Sequence, residues 1–213
     1  MKKIIYITLI LLCNMGIAKA QNRGNYLEPI RENYDFQREY NAKVRKVLFK
    51  GLSDSSEIRF QVMPSFTPEN ILVIEFNRTN NKYYIIYHIC EQKIWYNKDW
   101  ENIKVKKFKS EIDKESVDLI KSLFGTTIAQ IRFPTEKDNM IVGCDGTNYY
   151  FSIGEDGLLK SGTVWSPNKG TKMDKLVAIG YKLIELAKSN KKKVKIDAKL
   201  KKEIEDLINE LKK

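Results

Sequence analysis

The stretch that decides the fold is residues 57–90, EIRFQVMPSFTPENILVIEFNRTNNKYYIIYHIC. It holds three runs rich in Ile, Val, Tyr and Phe, at Glu57–Met63, Ile71–Phe76 and Lys82–Cys90. The segments between them, at 64–68 and 77–81, are rich in proline, serine and asparagine, which is typical of turns that join β-strands. The short second connection predicts that the second and third runs pair as an antiparallel hairpin.

Further strands are predicted on the C-terminal side of this stretch, from the same enrichment in β-branched and aromatic residues. They are Ile94–Tyr96, Ile103–Phe108, Met140–Cys144, Thr147–Ile153 and Leu158–Trp165. Asp145-Gly146 and Asp156-Gly157 stand between the last three, and Asp-Gly pairs favour tight hairpin turns. These segments extend the same sheet.

Four helices are predicted from apolar residues that recur at helical spacing. One has Pro29 in its first turn and ends near Gly51, one is capped by Asp113, one opens at Thr171, and one runs from Asp197 to about Lys212. This order of elements predicts an α+β fold. It consists of a single antiparallel β-sheet of about six to eight strands with helices packed on one face, and it ends in a C-terminal amphipathic helix.

The N-terminus has the three parts of a secretory signal peptide. Lys2 and Lys3 precede an apolar run at Ile4–Cys13, and Ala18-Lys19-Ala20 is a small-residue cleavage site. We expect residues 1–20 to be removed, which leaves an exported chain that is periplasmic, outer-membrane-associated or secreted, with no transmembrane segment. Lipidation at Cys13 is the alternative, although Leu12 is not the small residue that such a signal favours.

The predicted domain organisation is a signal peptide at 1–20, an α+β domain at 21–189, and a basic linker with a C-terminal helix at 190–213. The chain carries a formal net charge of +11, and residues 188–213 hold ten lysines against five acids. A basic tail of this kind predicts weak, salt-sensitive attraction to acidic surfaces, and export argues against a nucleic-acid partner. The last helix packs on its own domain or meets a membrane or partner, and packing is the more common outcome.

The few cysteine and histidine residues limit the chemistry that these side chains could perform. After cleavage, Cys90 and Cys144 remain, and they form either a disulfide in an oxidising compartment or two separate buried thiols. His88 lies two residues before Cys90 on one strand, so both side chains point to the same face. A Cys–His nucleophilic pair is conceivable there, but an apolar strand face more often holds a core histidine.

The sequence indicates no catalytic residue, no cofactor-binding residue and no metal ligand. A single histidine in the mature chain excludes the H-E-x-x-H zinc motif, and neither G-x-S-x-G nor a phosphate-binding glycine loop is present. A glycosidase needs only two carboxylates, which spacing cannot exclude. Asp145, Glu155 and Asp156 lie in predicted turns, where acids are also common for backbone reasons.

A possible binding surface is predicted at the aromatic residues of the last strands. Tyr150 and Trp165 could form a platform for a sugar or an extended peptide, with Trp165 at the rim before Pro167. The alternative is ordinary core packing, in which Tyr149 and Phe151 point inward and Tyr150 outward.

With these segments in place, the chain resembles a family of small uncharacterised exported proteins of Gram-negative, Bacteroidetes-type bacteria that have no assigned activity. The similarity rests on Met1-Lys2-Lys3, Val62–Pro68, Asp145–Phe151, and Trp165-Ser166-Pro167 leading into Lys172–Lys188. It implies an exported α+β domain and transfers no catalytic residue. We expect a non-enzymatic binding or interaction module that meets an envelope protein or glycan. The alternatives are a hydrolase of envelope or polysaccharide substrates acting through unidentified carboxylates, and a purely structural or inhibitory module.

Overall fold

A computed structural model describes residues 23–32, 34–135, 145–189 and 191–213. The predicted signal peptide and Cys144 therefore lie outside the described residues, as does the predicted strand at 140–144. The described strands are β1 Ile58–Pro64, β2 Asn70–Asn77, β3 Lys82–Cys90, β4 Val105–Ile112, β5 Thr147–Glu155, β6 Leu158–Trp165 and β7 Lys193–Val194. The α-helices are α1 Asp35–Leu48, α2 Lys114–Ile128, α3 Lys172–Lys188 and α4 Ala198–Leu211, and short 3-10 turns occur at Arg23–Asn25 and Trp100–Asn102.

The seven strands form one sheet in the order β6-β5-β1-β2-β3-β4-β7. The predicted hairpin of β2 and β3 is confirmed, with Asn77 opposite Lys82. The Asp-Gly signal between β5 and β6 is also confirmed, because Asp156 and Gly157 both adopt the positive φ that a tight hairpin turn requires. The sheet is mixed rather than purely antiparallel, since β7 pairs with β4 in parallel.

Alternate residues of the central strands enter two separate cores. Leu72 and Ile74 of β2 pack with the helices α2, α3 and α4, whereas Ile71 and Val73 pack on the other face with α1. All four side chains are fully buried. A strand that is apolar on both faces needs cover on both sides of the sheet.

The helices therefore lie on both faces of the sheet, which corrects the prediction that they pack on one face. Val44, Val47 and Leu48 bury the inner side of α1 against β2 and β3. The helix begins at Asp35, so Pro29 does not lie in its first turn. A sequence stripe shows that a helix has an apolar side, but it does not show which face of the sheet receives it.

The segment after residue 190 belongs to the same core as the rest of the sheet. Leu200, Ile204 and Leu207 of α4 are buried in the cluster that also contains the inner sides of α2 and α3. Val194 of β7 joins that cluster as well. No helix in the described part of the chain has both the length and the apolar character needed to cross a bilayer.

Candidate ligand-binding cleft

A cleft of about 340 Å³ lies on the α1 side of the sheet, where α1 faces the ends of β1 and β5 and the loop that follows β3. Its described lining is part aromatic and part polar: Arg31, Phe36, Gln37, Tyr40, Asn41, Met63, Pro64, Ser65, Lys93, Trp95, Tyr96, Asp145, Asn148 and Tyr150. Such a mixture, with large rings and a few polar groups, is typical of a small-molecule or glycan site.

A buried carboxylate lies beside this cleft. Glu69 directly precedes β2, and its side chain is fully buried. One oxygen accepts hydrogen bonds from the Lys93 ammonium, at 2.8 Å, and from the Tyr40 hydroxyl. The other accepts the Ile94 backbone N–H at 3.0 Å. Both oxygens are thus satisfied within the protein, as a buried charge requires.

The Lys93 ammonium likewise has all its hydrogen bonds within the protein. It donates to Glu69, to the Tyr40 hydroxyl at 3.0 Å, and to the Pro64 carbonyl at 2.5 Å. An ammonium has three hydrogen atoms to donate, so no donor is left for a ligand. Burial and the adjacent Glu69 carboxylate raise the pKa of Tyr40 far above its ordinary value. The phenol therefore stays protonated and holds the ion pair in place.

Exposed aromatic rings form one rim of the cleft. The ring centroid of Trp95 lies 4.7 Å from that of Tyr40 and 6.1 Å from that of Phe36, both in edge-to-face geometry. Phe36 is 54% exposed, Trp95 46% and Tyr96 66%. These exposures are large for aromatic side chains, so this rim offers apolar surface that no described residue covers.

The opposite wall is built by the start of β5 and the end of β1. Ser65 and Gly146 join the two strands, because the Ser65 N–H donates to the Gly146 carbonyl at 2.8 Å and the Gly146 N–H donates to the Ser65 hydroxyl at 3.0 Å. Asn148 and Tyr150 then line the cleft from β5. Burial raises the pKa of Tyr150. This wall presents an amide, a hydroxyl and an aromatic ring.

The two residues predicted as a binding surface are placed differently. Tyr150 lines the cleft, whereas Trp165 does not. Trp165 is the register partner of Asn148, so it shares the Tyr150 face of the sheet but lies one strand further out. Tyr149 and Phe151 pack on the opposite face, which α2, α3 and α4 cover, as expected from the alternation along β5.

His88 and Cys90 do not form an activated pair. Both lie on the α1 face of β3 and are buried, and His88 Nδ1 is 2.8 Å from the Leu48 carbonyl at the end of α1. Burial lowers the pKa of His88, and burial raises the pKa of Cys90 to about 12. A thiol that stays protonated is a poor nucleophile. Among the described residues Cys90 is unpaired, and Cys144, its partner in the disulfide alternative, lies outside them.

The described lining of the cleft holds few carboxylates that could serve the hydrolase alternative. Among the described residues that line the cleft, only Asp145 carries a carboxylate, and Glu69 beside them is held by Lys93 and Tyr40. Glu155 and Asp156 lie at the β5–β6 turn, where Glu155 pairs with Lys160. No group of three or more His, Cys, Asp or Glu side chains in the described ranges could hold a metal ion.

Sequence reasoning missed most of the cleft. It did not single out Glu69, Lys93 or Tyr40, and it assigned Trp95 and Tyr96 to a strand, whereas residues 94–96 form a turn. One feature of the sequence points to this cluster. Glu69 is an acid directly before a long apolar strand, where a buried charge needs a partner of opposite charge.

Comparison with known proteins yields no relative. No protein-family model matches the chain, and no match is found among curated proteins or among solved structures. The resemblance to exported Bacteroidetes-type proteins therefore stays a prediction, and function has to be argued from the cleft.

Proposed function

We propose that the protein is an exported, non-enzymatic binding module of the cell envelope and that the cleft beside α1 binds an uncharged glycan. The observation that carries this proposal is the combination of an exposed aromatic rim with buried charges that already neutralise one another. The N-terminal signal pattern supports export.

The chemistry of the lining suits a sugar. The C–H faces of a sugar ring bury apolar area against an aromatic ring such as Trp95 or Tyr96. Sugar hydroxyls both donate and accept. The lining offers amides of the same kind at Asn148 and at Asn41, whose nitrogen already donates to Glu32 at 2.8 Å. A few polar groups in an aromatic cleft fix orientation, which is the ordinary design of a binding site.

The charge of the lining supports an uncharged ligand. The Lys93 ammonium is neutralised by Glu69 at 2.8 Å, which leaves Arg31 and Asp145 as the other described charges of the lining. Arg31 lies over the Phe133 ring at 4.5 Å. The two remaining charges are opposite in sign, so neither an anionic nor a cationic ligand is favoured overall.

The same groups argue for binding rather than catalysis. A general acid or base needs a proton that it can exchange near neutral pH. The side-chain oxygens of Glu69 and the ammonium of Lys93 are hydrogen-bonded within the protein. Burial and Glu69 raise the pKa of Tyr40 far above neutral pH. Asp145 is the one carboxylate of the described lining, whereas glycoside hydrolysis uses a pair, so the cleft supports binding of a glycan rather than its cleavage.

The test is calorimetric titration of the mature protein with uncharged oligosaccharides, drawn from a panel of β-linked and α-linked hexose and N-acetylhexosamine polymers. Trp95→Ala should weaken binding about tenfold or more, as expected for an aromatic anchor. Phe76→Ala is the matched control, because Phe76 is also exposed but lies at the far end of β2, about 20 Å along the strand from Glu69. Unchanged affinity in both Trp95→Ala and Tyr96→Ala would refute the aromatic rim as the site. Hydrolysis of any oligosaccharide in the panel would instead favour an enzyme.

A further inference from the structure

A second surface, independent of the cleft, gathers lysines along the outer edge of β4. We call it the basic ridge, and it comprises Lys50, Lys107, Lys109, Lys191 and Lys192. The backbone holds them together. The Lys107 ammonium donates to the Lys50 carbonyl at 2.9 Å, the Ser110 hydroxyl donates to the Lys191 carbonyl at 2.7 Å, and the Glu111 N–H donates to the Lys192 carbonyl at 3.0 Å.

The charges of the basic ridge are not neutralised by described residues. None of its five ammonium groups has a carboxylate oxygen within 4.0 Å among the described ion pairs. Glu111, the acid nearest to them in β4, is already bound to Lys82 at 2.6 Å and to Lys193 at 3.2 Å. Those two hydrogen bonds lower the pKa of Glu111. Its carboxylate therefore pairs with Lys82 and Lys193 and not with the lysines of the basic ridge.

The C-terminal helix is different, although the sequence placed the basic charge in the tail as a whole. Lys201 of α4 pairs with Glu115 at 2.7 Å. Glu203 and Glu210 of the same helix pair with Lys182 and Lys175 of α3. Residues 198–211 hold three lysines against four acids, so α4 itself carries no excess of positive charge.

Two lysines of the basic ridge lie in a row along β4. Lys107 and Lys109 alternate with Phe108, so they project from the same face of β4 with a spacing of about 7 Å. Among the described strands, β7 pairs with β4 only at Glu111 and Ile112, so no described strand pairs with β4 at Lys107 and Lys109 on that side. Residues 191 and 192 lie beside Ser110 and Glu111 of the same strand, to which their carbonyls are hydrogen-bonded, and both lysines are exposed. Like charges held in a row create a field that attracts a chain of opposite charges.

We propose that the basic ridge binds an acidic polysaccharide, a linear chain that carries carboxylates or sulfates along its length. A membrane surface fits less well, because none of the exposed large apolar side chains of the described residues belongs to β4 or to residues 191–192, and stable membrane association needs an apolar anchor as well as charge. A single-stranded nucleic acid needs exposed rings for base stacking, whereas the ring of Tyr84 is covered by the Lys109 ammonium at 4.3 Å.

The experiment compares two triple variants with equal net charge. Lys109→Gln, Lys191→Gln and Lys192→Gln remove ridge charges and leave Lys107 to hold the Lys50 carbonyl. Lys199→Gln, Lys202→Gln and Lys213→Gln remove three exposed charges of the C-terminal helix and terminus. Binding to polygalacturonate and dextran sulfate is measured by biolayer interferometry at several salt concentrations, with uncharged dextran, anionic phospholipid vesicles and poly-dT as further arms.

We expect the ridge variant to bind both acidic polymers about tenfold more weakly at 0.1 M salt and with a shallower salt dependence, since three exposed ion pairs are lost. The α4 variant should stay within about twofold of the wild type. Equal losses in both variants would overturn the proposal, because the effect would then follow net charge alone. Tighter ridge-dependent binding to vesicles or to poly-dT would also overturn it, as would wild-type protein that binds neither acidic polymer. Thermal melting confirms that both variants are folded.

Discussion

At the scale of single residues, Glu69, Lys93 and Tyr40 join three separate parts of the chain. Glu69 ends the connection between β1 and β2, Lys93 follows β3, and Tyr40 lies in α1. Their hydrogen bonds fix the position of the aromatic rim, because Trp95 directly follows Ile94, whose N–H donates to Glu69. The cluster has a structural role: Tyr40 and Lys93 line the cleft, but their polar groups are bonded within the protein.

Glu69→Gln should reduce the free energy of unfolding by about 3 kcal/mol, because it leaves the Lys93 ammonium buried without its counter-charge. Urea unfolding followed by tryptophan fluorescence measures this. The double variant Glu69→Gln with Lys93→Met should be more stable than Glu69→Gln alone, since the unpaired charge is then gone. Glu210→Gln, which breaks the exposed pair with Lys175, is the control and should change stability by less than about 1 kcal/mol. Similar losses in the two single variants would contradict the importance of burial.

His88 predicts a specific pH dependence. Burial lowers its pKa in the folded state below the ordinary value of 6.5, so the unfolded chain binds a proton more readily than the folded chain does. Its contribution is fully present above pH 6.5 and is lost as the pH falls toward the lower folded-state pKa. Because His88 is the chain's only histidine, the stability difference between wild type and His88→Gln should shrink between pH 7 and pH 5. Parallel pH profiles of urea midpoints for the two proteins would contradict this.

At the scale of elements, the sequence is informative where structure depends on neighbouring residues. Alternation and turn residues predict β2, β3 and the β5–β6 turn, because pleat and turn geometry are local. The face on which α1 packs depends on which side of β2 is left uncovered by the other helices, and that is a tertiary property. Residues 94–96 have strand-like composition but form a turn, because the Ile94 N–H bonds to Glu69, 25 residues earlier in the chain. The cleft was missed for the same reason.

The packing of α3 on the sheet predicts opposite effects for two glycine substitutions. A Cβ at Gly180 would lie 2.5 Å from Cε1 of Phe60, which is fully buried and stacked on Phe151 at 4.9 Å. A Cβ at Gly125 of α2 would meet only Ile153 Cδ1, at an ordinary 3.6 Å. Gly180→Ala should therefore destabilise the protein by about 2 kcal/mol despite the better helix propensity of alanine. Gly125→Ala should stabilise it by about 0.5 kcal/mol.

Thermal and urea unfolding of the two alanine variants measures both effects. The comparison separates packing from propensity, because the same residue change is made in two helices of one protein. Stabilisation by Gly180→Ala would show that α3 does not approach the sheet this closely.

At the scale of the whole molecule, the α1 side of the sheet carries two surfaces with different chemistry. The aromatic rim lies where α1 meets the ends of β1 and β5, and the basic ridge lies at the β4 edge. The helices α2, α3 and α4 cover the other face and pack on the sheet behind both surfaces. An uncharged glycan and an acidic one could then be held by one module at separate places.

This arrangement requires the C-terminal segment to be part of one cooperative unit, which Ile204→Ala tests. Ile204 is fully buried in the cluster that contains α2, α3 and the sheet, so its truncation should lower the free energy of unfolding by about 3 kcal/mol. Circular dichroism and tryptophan fluorescence should still report one coincident transition, because the three tryptophans lie at positions 95, 100 and 165, outside α4. Glu205→Ala, on the exposed side of the same helix, should shift stability by less than about 0.5 kcal/mol. If Ile204→Ala instead produced an early loss of helical signal with an unchanged fluorescence transition, α4 would be an appendage that folds separately. The predicted division at residue 190 would then be a true domain boundary, and the packing of α4 would not stabilise the sheet.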